Sequence, residues 1–194
     1  MTAIKSLCVY CGASARGSRR HRDSAARLGR ILAEAGIELV YGGGRVGVMG
    51  VIADAVMQAG GRVLGIIPDH LLKVEVAHTH VSELVVVDSM HARKEAMFRR
   101  ADAFVILPGG LGTLDETFEI LTWKQLRLHD KPVVICDLDG YWQPLLALIE
   151  TTVRRGYTPA EARRFFVTVT RVEEVLPALA HEGAPKIPAQ PRRL

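Results

Sequence analysis

Short, continuously apolar runs alternate along the chain with longer segments in which apolar residues recur at helical spacing. Continuous apolar runs are typical of strands covered on both faces, and helical spacing is typical of amphipathic helices. The predicted strands comprise residues 6–10, 38–41, 62–67, 84–87, 103–107, 132–136 and 165–169. The predicted helices comprise residues 20–35, 48–59, 89–100, 114–128, 141–155 and 172–180, with an irregular stretch at 68–80.

This alternation predicts an α/β fold in which a doubly wound parallel sheet carries helices on both faces, giving three layers. We expect residues 1–180 to form a single domain, because no linker divides them. Residues 181–194 contain three prolines and two arginines near the end, and we expect this tail to be disordered.

Three glycine-containing turns follow predicted strands, at residues 11–14, 42–47 and 108–113. In a parallel α/β sheet the carboxyl ends of the strands share one edge, and ligands bind there. The convergence of the three turns therefore predicts a ligand site at that edge.

The third turn reads Pro-Gly-Gly-Leu-Gly-Thr-Leu-Asp-Glu and joins a buried strand to a helix. Backbone N–H groups and the helix dipole bind phosphate at such a junction, and glycines permit close approach. Glu116 lies beside this anion site, which indicates chemistry on a phosphorylated ligand. The spacing of Thr113 and Glu116 also fits a capping box, and on spacing alone that structural interpretation is favoured.

The amino-acid composition of the chain argues against several classes of protein. Hydrophobic residues make up 48% of the chain, which excludes disorder for most of it, and no apolar run is long enough to cross a bilayer. Three cysteines do not make a disulfide framework, so a cytoplasmic location is expected. The net charge is +4, and the basic cluster at 16–22 lacks interleaved aromatics, which favours small anionic ligands over nucleic acid.

Three further motifs favour structural interpretations. The glycines at 42–47 match a dinucleotide fingerprint, but they follow the second strand and Asp69 lies in a loop, which argues against NAD. Cys8 and Cys11 lie along a strand and should face opposite sides of the sheet, unlike a redox pair. His78 and His80 have no third metal ligand placed by the sequence, so no metal is expected.

Arg93 shares one helix face with Met90 and Met97. An arginine in a methionine stripe either extends to the rim of the protein or is held for a polar or anionic partner, and the spacing leaves both interpretations open. Lys94 is adjacent and within reach of a phosphate, although a solvated lysine is the simpler interpretation.

Together these motifs resemble the LOG family, the cytokinin riboside 5′-monophosphate phosphoribohydrolases, which were often labelled lysine decarboxylase-like. The resemblance covers residues 5–180. It rests on Cys-Gly-Ala-Ser at 11–14, Tyr-Gly-Gly-Gly at 41–44, Val-Met-Gly at 48–50, Gly-Ile-Ile-Pro at 65–68, Met-His-Ala-Arg-Lys at 90–94, residues 108–116, Thr-Trp at 122–123 and Leu-His-Asp-Lys-Pro at 128–132. Ala13, Leu111 and Arg127 depart from the serine, the tyrosine or glycine, and the glycine that are common in relatives.

The resemblance implies a Rossmann-like hydrolase that splits the N-glycosidic bond of adenosine 5′-monophosphate, or of an N6-substituted form, into a free base and ribose 5-phosphate. Arg93 and Glu116 occupy the catalytic places of the family. The implied substrate-binding residues are Ser14, Gly43, Gly44, Glu75, Lys94, Gly109, Gly110, Leu111, Gly112, Thr113 and Thr122. The scheme requires no metal or organic cofactor, and the family implies a homo-oligomer, most simply a dimer.

Two other functions stay open at this stage. A carrier that binds a phosphorylated cofactor such as the molybdenum cofactor without cleaving it would share the fold and the glycine turns. It would not need the Arg93–Glu116 pair, which is the discriminating feature. Decarboxylation of an amino acid would need a pyridoxal lysine, and no lysine lies in a recognisable motif of that kind. The choice between plain and prenylated adenosine monophosphate also stays open.

Overall fold

The computed structural model describes residues 4–72 and 77–181. The strands are β1 (Ser6–Tyr10), β2 (Glu38–Tyr41), β3 (Val63–Pro68), β4 (Glu83–Val87), β5 (Ala103–Ile106), β6 (Val133–Cys136) and β7 (Val167–Val169). The helices are α1 (Arg19–Glu34), α2 (Gly47–Gln58), α3 (Met90–Arg100), α4 (Leu111–Gln125), α5 (Gln143–Arg154) and α6 (Val175–His181). No helix within these two ranges combines the length and the apolar character that a membrane span requires.

All seven strands form one parallel sheet in the order β4-β3-β2-β1-β5-β6-β7. The central strand β1 pairs on both sides, so that Cys8 lies opposite Val40 of β2 and Phe104 of β5. The strand order runs outward in opposite directions from β1 and β5, and open α/β sheets bind ligands at such a switch point. The predicted α/β parallel fold is confirmed, and its switch point lies where two of the glycine turns begin.

The sheet separates two hydrophobic cores. One core contains Leu7, Val9 and Cys11 and is covered by residues of α1, α2 and α6, whereas the other contains Cys8 and Tyr10 and is covered by α3, α4 and α5. The three-layer prediction is therefore confirmed. Cys8 and Cys11 fall in opposite cores and are both free and buried, as the strand periodicity predicts.

Helix α4 begins earlier than predicted, and this difference changes the interpretation of two residues. It begins at Leu111 with Gly110 as its N-cap, three residues before the predicted start at 114. The prediction was wrong because glycine disfavours helix interiors, yet Gly112 here occupies the tolerant first turn. Thr113 and Glu116 are therefore the third and sixth residues of the helix, and the capping-box interpretation of this pair is wrong.

Candidate active site

The three glycine turns meet at the carboxyl edge of the sheet. The Gly12 N–H after β1 donates to the carbonyl of Pro108 after β5 at 3.1 Å. The Gly12 carbonyl accepts from Val48 and Met49 at the start of α2, at 2.9 and 3.3 Å. Backbone bonds thus join the loop after β1 to both other turns, and the predicted convergence is confirmed.

The turn at 108–113 opens the N-terminus of α4. The first intrahelical bond runs from the Leu114 N–H to the carbonyl of Gly110 at 3.0 Å, so the N–H groups of Leu111, Gly112 and Thr113 precede any acceptor within the helix. Gly110, Leu111 and Gly112 are exposed, whereas the Thr113 side chain is buried. N–H groups without an intrahelical acceptor, at the positive end of a fifteen-residue helix, suit an anion such as phosphate.

Arg93 lies in the first turn of α3, where the Ser89 hydroxyl caps the helix by accepting from the Ala92 N–H at 3.1 Å. The residue is only 2% exposed, and its Nη2 donates to the carbonyl of Gly42 at 2.7 Å. Of the two interpretations left open by the methionine stripe, the structure supports a buried guanidinium held by a polar partner. Arg93 thereby places a positive charge at the turn after β2.

Glu116 is 6% exposed and brings a negative charge to the same region. Burial raises the pKa of the Cys11 thiol above its ordinary value, the Glu116 carboxylate raises it further, and the Arg93 guanidinium lowers it. Burial and then Glu116 likewise raise the pKa of the Cys8 thiol. Arg93 on α3 and Glu116 on α4 therefore both act on the Cys11 thiol, directly after β1, and α4 begins at the predicted phosphate site.

Lys94 connects the two helices that carry this pair. Its ammonium lies 3.0 Å from Asp115 and 3.1 Å from Glu119, both on α4, and the residue is 8% exposed. Burial by itself lowers the pKa of Lys94, but the hydrogen bonds and charges of the two carboxylates outweigh it and raise the pKa. The predicted contact between Lys94 and substrate stays a prediction, and the observed contacts are structural.

Gly43 and Gly44 are buried, and their backbone pairs with the segment that precedes β4. The Gly43 carbonyl accepts from the His78 N–H at 2.9 Å, and Gly44 forms an antiparallel bridge with Ala77. Glu75, the predicted carboxylate of that segment, lies outside the described residues. The binding roles of these three residues stay predictions.

Ser14 and Thr122 are placed differently from the glycine turns. Ser14 is exposed in the loop after β1 and accepts from the Arg16 N–H at 3.3 Å. Thr122 is exposed on α4, roughly 16 Å along the helix axis from Leu111. The structure does not bring Thr122 to the phosphate turn.

Sequence reasoning missed the loop after β6, which reaches the same edge. The Tyr141 hydroxyl donates to the carbonyl of Gly109 at 2.6 Å. Asp139 and Gly140 just before it have φ values of 53° and 74°, in the left-handed region. The signal was available, because a strand followed by Asp-Leu-Asp-Gly-Tyr also ends at the ligand-binding edge.

Within residues 4–72 and 77–181 there is no group of three or more His, Cys, Asp or Glu side chains arranged to hold a metal ion. His78 instead pairs with Asp54, with 2.9 Å between Nε2 and Oδ1.

Comparison with known proteins assigns the family. Residues 49–179 match the family model described as "Possible lysine decarboxylase". The chain is 42% identical over 173 residues to the cytokinin riboside 5′-monophosphate phosphoribohydrolase LOG of Oryza sativa subsp. japonica, covering 89% of this chain and 72% of that protein. The chain belongs to the LOG family. Within it, a phosphoribohydrolase of Arabidopsis thaliana is 42% identical over 183 residues, covering 94% of this chain and 85% of the relative.

The fold of this LOG-family chain also occurs in proteins with other roles. A molybdenum cofactor binding protein from the phototrophic bacterium Rippkaea orientalis superposes with a TM-score of 0.71 at 22% identity, covering 93% of this chain and 98% of that one. At this level of identity the likeness shows the fold alone.

Proposed function

We propose that this LOG-family protein hydrolyses the N-glycosidic bond of adenosine 5′-monophosphate or an N6-substituted form, releasing the base and ribose 5-phosphate. The observation that carries the proposal is the placement of two buried opposite charges, Arg93 and Glu116, at the end of β1 beside the open N-terminus of α4. The named activity of relatives that are 42% identical supports it.

The chemistry follows from charge development at the ribose. As the C1′–N bond breaks, positive charge grows on C1′, as in other glycosyl hydrolyses. The Glu116 carboxylate stabilises this charge and orients or deprotonates the water that attacks C1′. The departing base takes up the proton that the water loses, so the base leaves as a neutral molecule. The Arg93 guanidinium favours the ionised form of the carboxylate. Phosphate held by the N–H groups of 110–113 fixes the ribose for the reaction.

The test is incubation with adenosine 5′-monophosphate, isopentenyladenosine 5′-monophosphate and the two matching nucleosides, with chromatographic detection of free base and ribose 5-phosphate. We expect both monophosphates to be cleaved and the nucleosides to be poor substrates. Loss of the phosphate should lower kcat as well as raise KM, because remote binding energy assists the reacting centre. Equal turnover of adenosine and its monophosphate would contradict the phosphate site.

The same experiment addresses the carrier alternative. A carrier would bind phosphorylated ligands without releasing base, and it would not need Arg93 and Glu116. Binding of the monophosphate without cleavage would therefore overturn the hydrolase proposal in favour of a carrier.

We also propose that the protein acts as a homodimer. Large apolar side chains are exposed on and beside α3 and α4, namely Met90, Leu111, Phe118, Leu126 and Leu128. A second copy covering such residues would remove them from water, and two-fold dimers are the commonest symmetric assembly. Light scattering at micromolar concentration should show a dimer, and a monomer would contradict the proposal.

The cytoplasmic location stays part of the proposal. All three cysteines of the chain, Cys8, Cys11 and Cys136, are free and buried. This state is the one that a reducing compartment maintains.

A further inference from the structure

The peptide unit between Gly109 and Gly110 borders the proposed phosphate site, and a side-chain hydrogen bond holds its carbonyl. The Tyr141 hydroxyl donates to the Gly109 carbonyl at 2.6 Å, across 32 positions of sequence. This contact links the loop after β6 to the turn after β5.

The orientation of this peptide matters for an anion. In a trans peptide the N–H and the C=O point in opposite directions, so a fixed Gly109 carbonyl also fixes the Gly110 N–H. A glycine pair offers little resistance to rotation of the peptide between its members. Rotation would turn a carbonyl dipole toward the phosphate and turn a donor away from it.

No side chain at position 109 can hold the Gly109–Gly110 peptide in this orientation. A Cβ atom built on Gly109 would lie 2.1 Å from Oγ1 of Thr113 and 2.9 Å from the backbone nitrogen of Gly12. The position must therefore stay glycine, and the restraint on its peptide has to come from elsewhere in the chain. Tyr141 supplies it.

Tyr141 is itself held in place. Its ring lies edge-on to the buried His21 ring at 5.5 Å between centroids. The following residue, Trp142, is buried and donates its N–H to the Asp137 carboxylate at 2.6 Å. The hydroxyl is thus presented by a loop with its own packing and hydrogen bonds.

We infer that Tyr141 is a positioning residue for the 5′-phosphate of the substrate, acting by holding the Gly109–Gly110 peptide in the orientation that receives an anion. The inference rests on the proposed function for the identity of the substrate. Because Tyr141 acts through the phosphate turn, it should affect phosphorylated substrates and leave the reaction of a nucleoside unchanged.

The test compares Tyr141→Phe, which keeps the ring and removes the hydroxyl, with Tyr157→Phe, whose parent side chain is 87% exposed. We expect kcat/KM for adenosine 5′-monophosphate to fall about threefold to tenfold in Tyr141→Phe, as for loss of one hydrogen bond. The value for adenosine should stay within about twofold, and Tyr157→Phe should change neither. Equal losses for both substrates, or no loss, would overturn the inference.

A binding measurement separates this inference from the proposed function. Calorimetry with inorganic phosphate should show about threefold to tenfold weaker binding to Tyr141→Phe than to the wild type or Tyr157→Phe. If the wild type cleaves no monophosphate, the hydrolase proposal fails while this difference still supports the inference. Equal phosphate affinity in all three proteins overturns the inference even if the enzyme is active.

Discussion

Arg93 donates from Nη2 to the carbonyl oxygen of Gly42 at 2.7 Å, and this bond joins the first turn of α3 to the loop after β2. A Cβ atom at position 42 would lie 2.0 Å from that nitrogen and 3.0 Å from Cζ. Glycine is therefore required at position 42 for the guanidinium to reach its observed place. The glycine turn at 42–47 resembles a dinucleotide fingerprint, but in this protein it leaves room for the Arg93 guanidinium and accepts its hydrogen bond.

The first prediction concerns Gly42→Ala. The new methyl group must displace the end of the flexible Arg93 side chain, so the fold should survive while the guanidinium moves. Because small displacements of positioning groups are costly, we expect kcat for adenosine 5′-monophosphate to fall about 10- to 100-fold. Gly17→Ala is the control, since its Cβ would meet only the Ser14 carbonyl at 3.6 Å. Unchanged kcat in Gly42→Ala would show that this contact does not position Arg93 for catalysis.

The second prediction separates catalysis from structure at Glu116. Because Glu116 is the sixth residue of α4, Glu116→Gln removes a charge without removing a helix cap. We expect the hydrolysis rate to fall about 10²- to 10⁴-fold with the secondary structure retained. Glu95→Gln, which changes an exposed carboxylate on α3, should leave the rate unchanged. A near-normal rate in Glu116→Gln would contradict the mechanism and favour the carrier.

The same kinetics test whether Arg93 and Glu116 act together. Arg93→Ala should lower the rate by a similar factor. The double variant should lose much less than the product of the two single losses, because residues that act as one unit are not additive. If the loss of rate in the double variant equals the product of the two single losses, the two charges act independently.

The third prediction concerns Lys94, whose ammonium joins α3 to Asp115 and Glu119 of α4. If its role is to hold these helices together, Lys94→Met should lower kcat equally for adenosine and its monophosphate and destabilise the fold by about 0.5–1 kcal/mol. If Lys94 contacts the phosphate, the loss should be larger for the monophosphate. Steady-state kinetics with both substrates decide, and Arg99→Met, on the exposed side of α3, is the control.

The fourth prediction concerns alkaline pH. Burial raises the pKa of the Cys8 and Cys11 thiols well above the ordinary value, and burial followed by nearby carboxylates raises that of Cys136 to about 12. Thiols of the unfolded chain ionise near pH 8.5, whereas those of the folded chain stay protonated. The stability contributed by the buried thiols is therefore intact below about pH 8.5 and is lost as the pH rises toward their folded pKa values.

Urea denaturation at about pH 7.5 and about pH 9.5 measures this loss. Each thiol should lower the free energy of unfolding by up to about 1.4 kcal/mol per pH unit above its unfolded pKa. Cys136→Ala should remove one such contribution, so its stability should fall less steeply between the two pH values. An identical fall in Cys136→Ala and wild type would show that the Cys136 thiol ionises equally in both states.

The layout of this site was predictable from the sequence, and its side-chain contacts were not. Apolar periodicity located the strands, and the carboxyl ends of parallel strands share one edge, so the meeting of the turns at 11–14, 42–47 and 108–113 was predicted without knowledge of the strand order. The Arg93–Gly42 and Tyr141–Gly109 bonds join residues 51 and 32 positions apart. Such pairs depend on how helices and loops pack over the sheet, and local spacing does not encode that.

The start of α4 shows a second limit. Glycine is scored as a helix breaker in every position, but at the N-cap and in the first turn its cost is small. Placing the start after the glycines made Thr113 and Glu116 look like a capping box, and only the bond from Leu114 to Gly110 corrects it. If the cost of glycine were taken to depend on its position in the helix, the predicted helix would have started at the glycines, and Glu116 would have been predicted beyond the first turn.

The last prediction concerns the opposite end of α4. Arg127 has a φ of 59°, and the bonds from Arg127 N–H to Lys124 and from Leu128 N–H to Trp123, at 3.0 and 2.9 Å, form a Schellman motif. The equivalent position at the end of α1 is Gly36, with a φ of 66°. A left-handed conformation costs a residue with a side chain about 1–2 kcal/mol, so glycine is the residue that position 127 favours.

Arg127→Gly should therefore be more stable than Arg127→Ala by about 1 kcal/mol in urea denaturation. Both variants lose the contacts of the arginine side chain, and only the glycine variant relieves the backbone, so their difference isolates the conformational cost. Gly36→Ala is the reverse control, because its Cβ would meet nothing within 4 Å and only the backbone would be strained. It should destabilise the protein by about 1 kcal/mol. If Arg127→Gly were no more stable than Arg127→Ala while Gly36→Ala lost stability, the left-handed conformation at 127 would carry no cost.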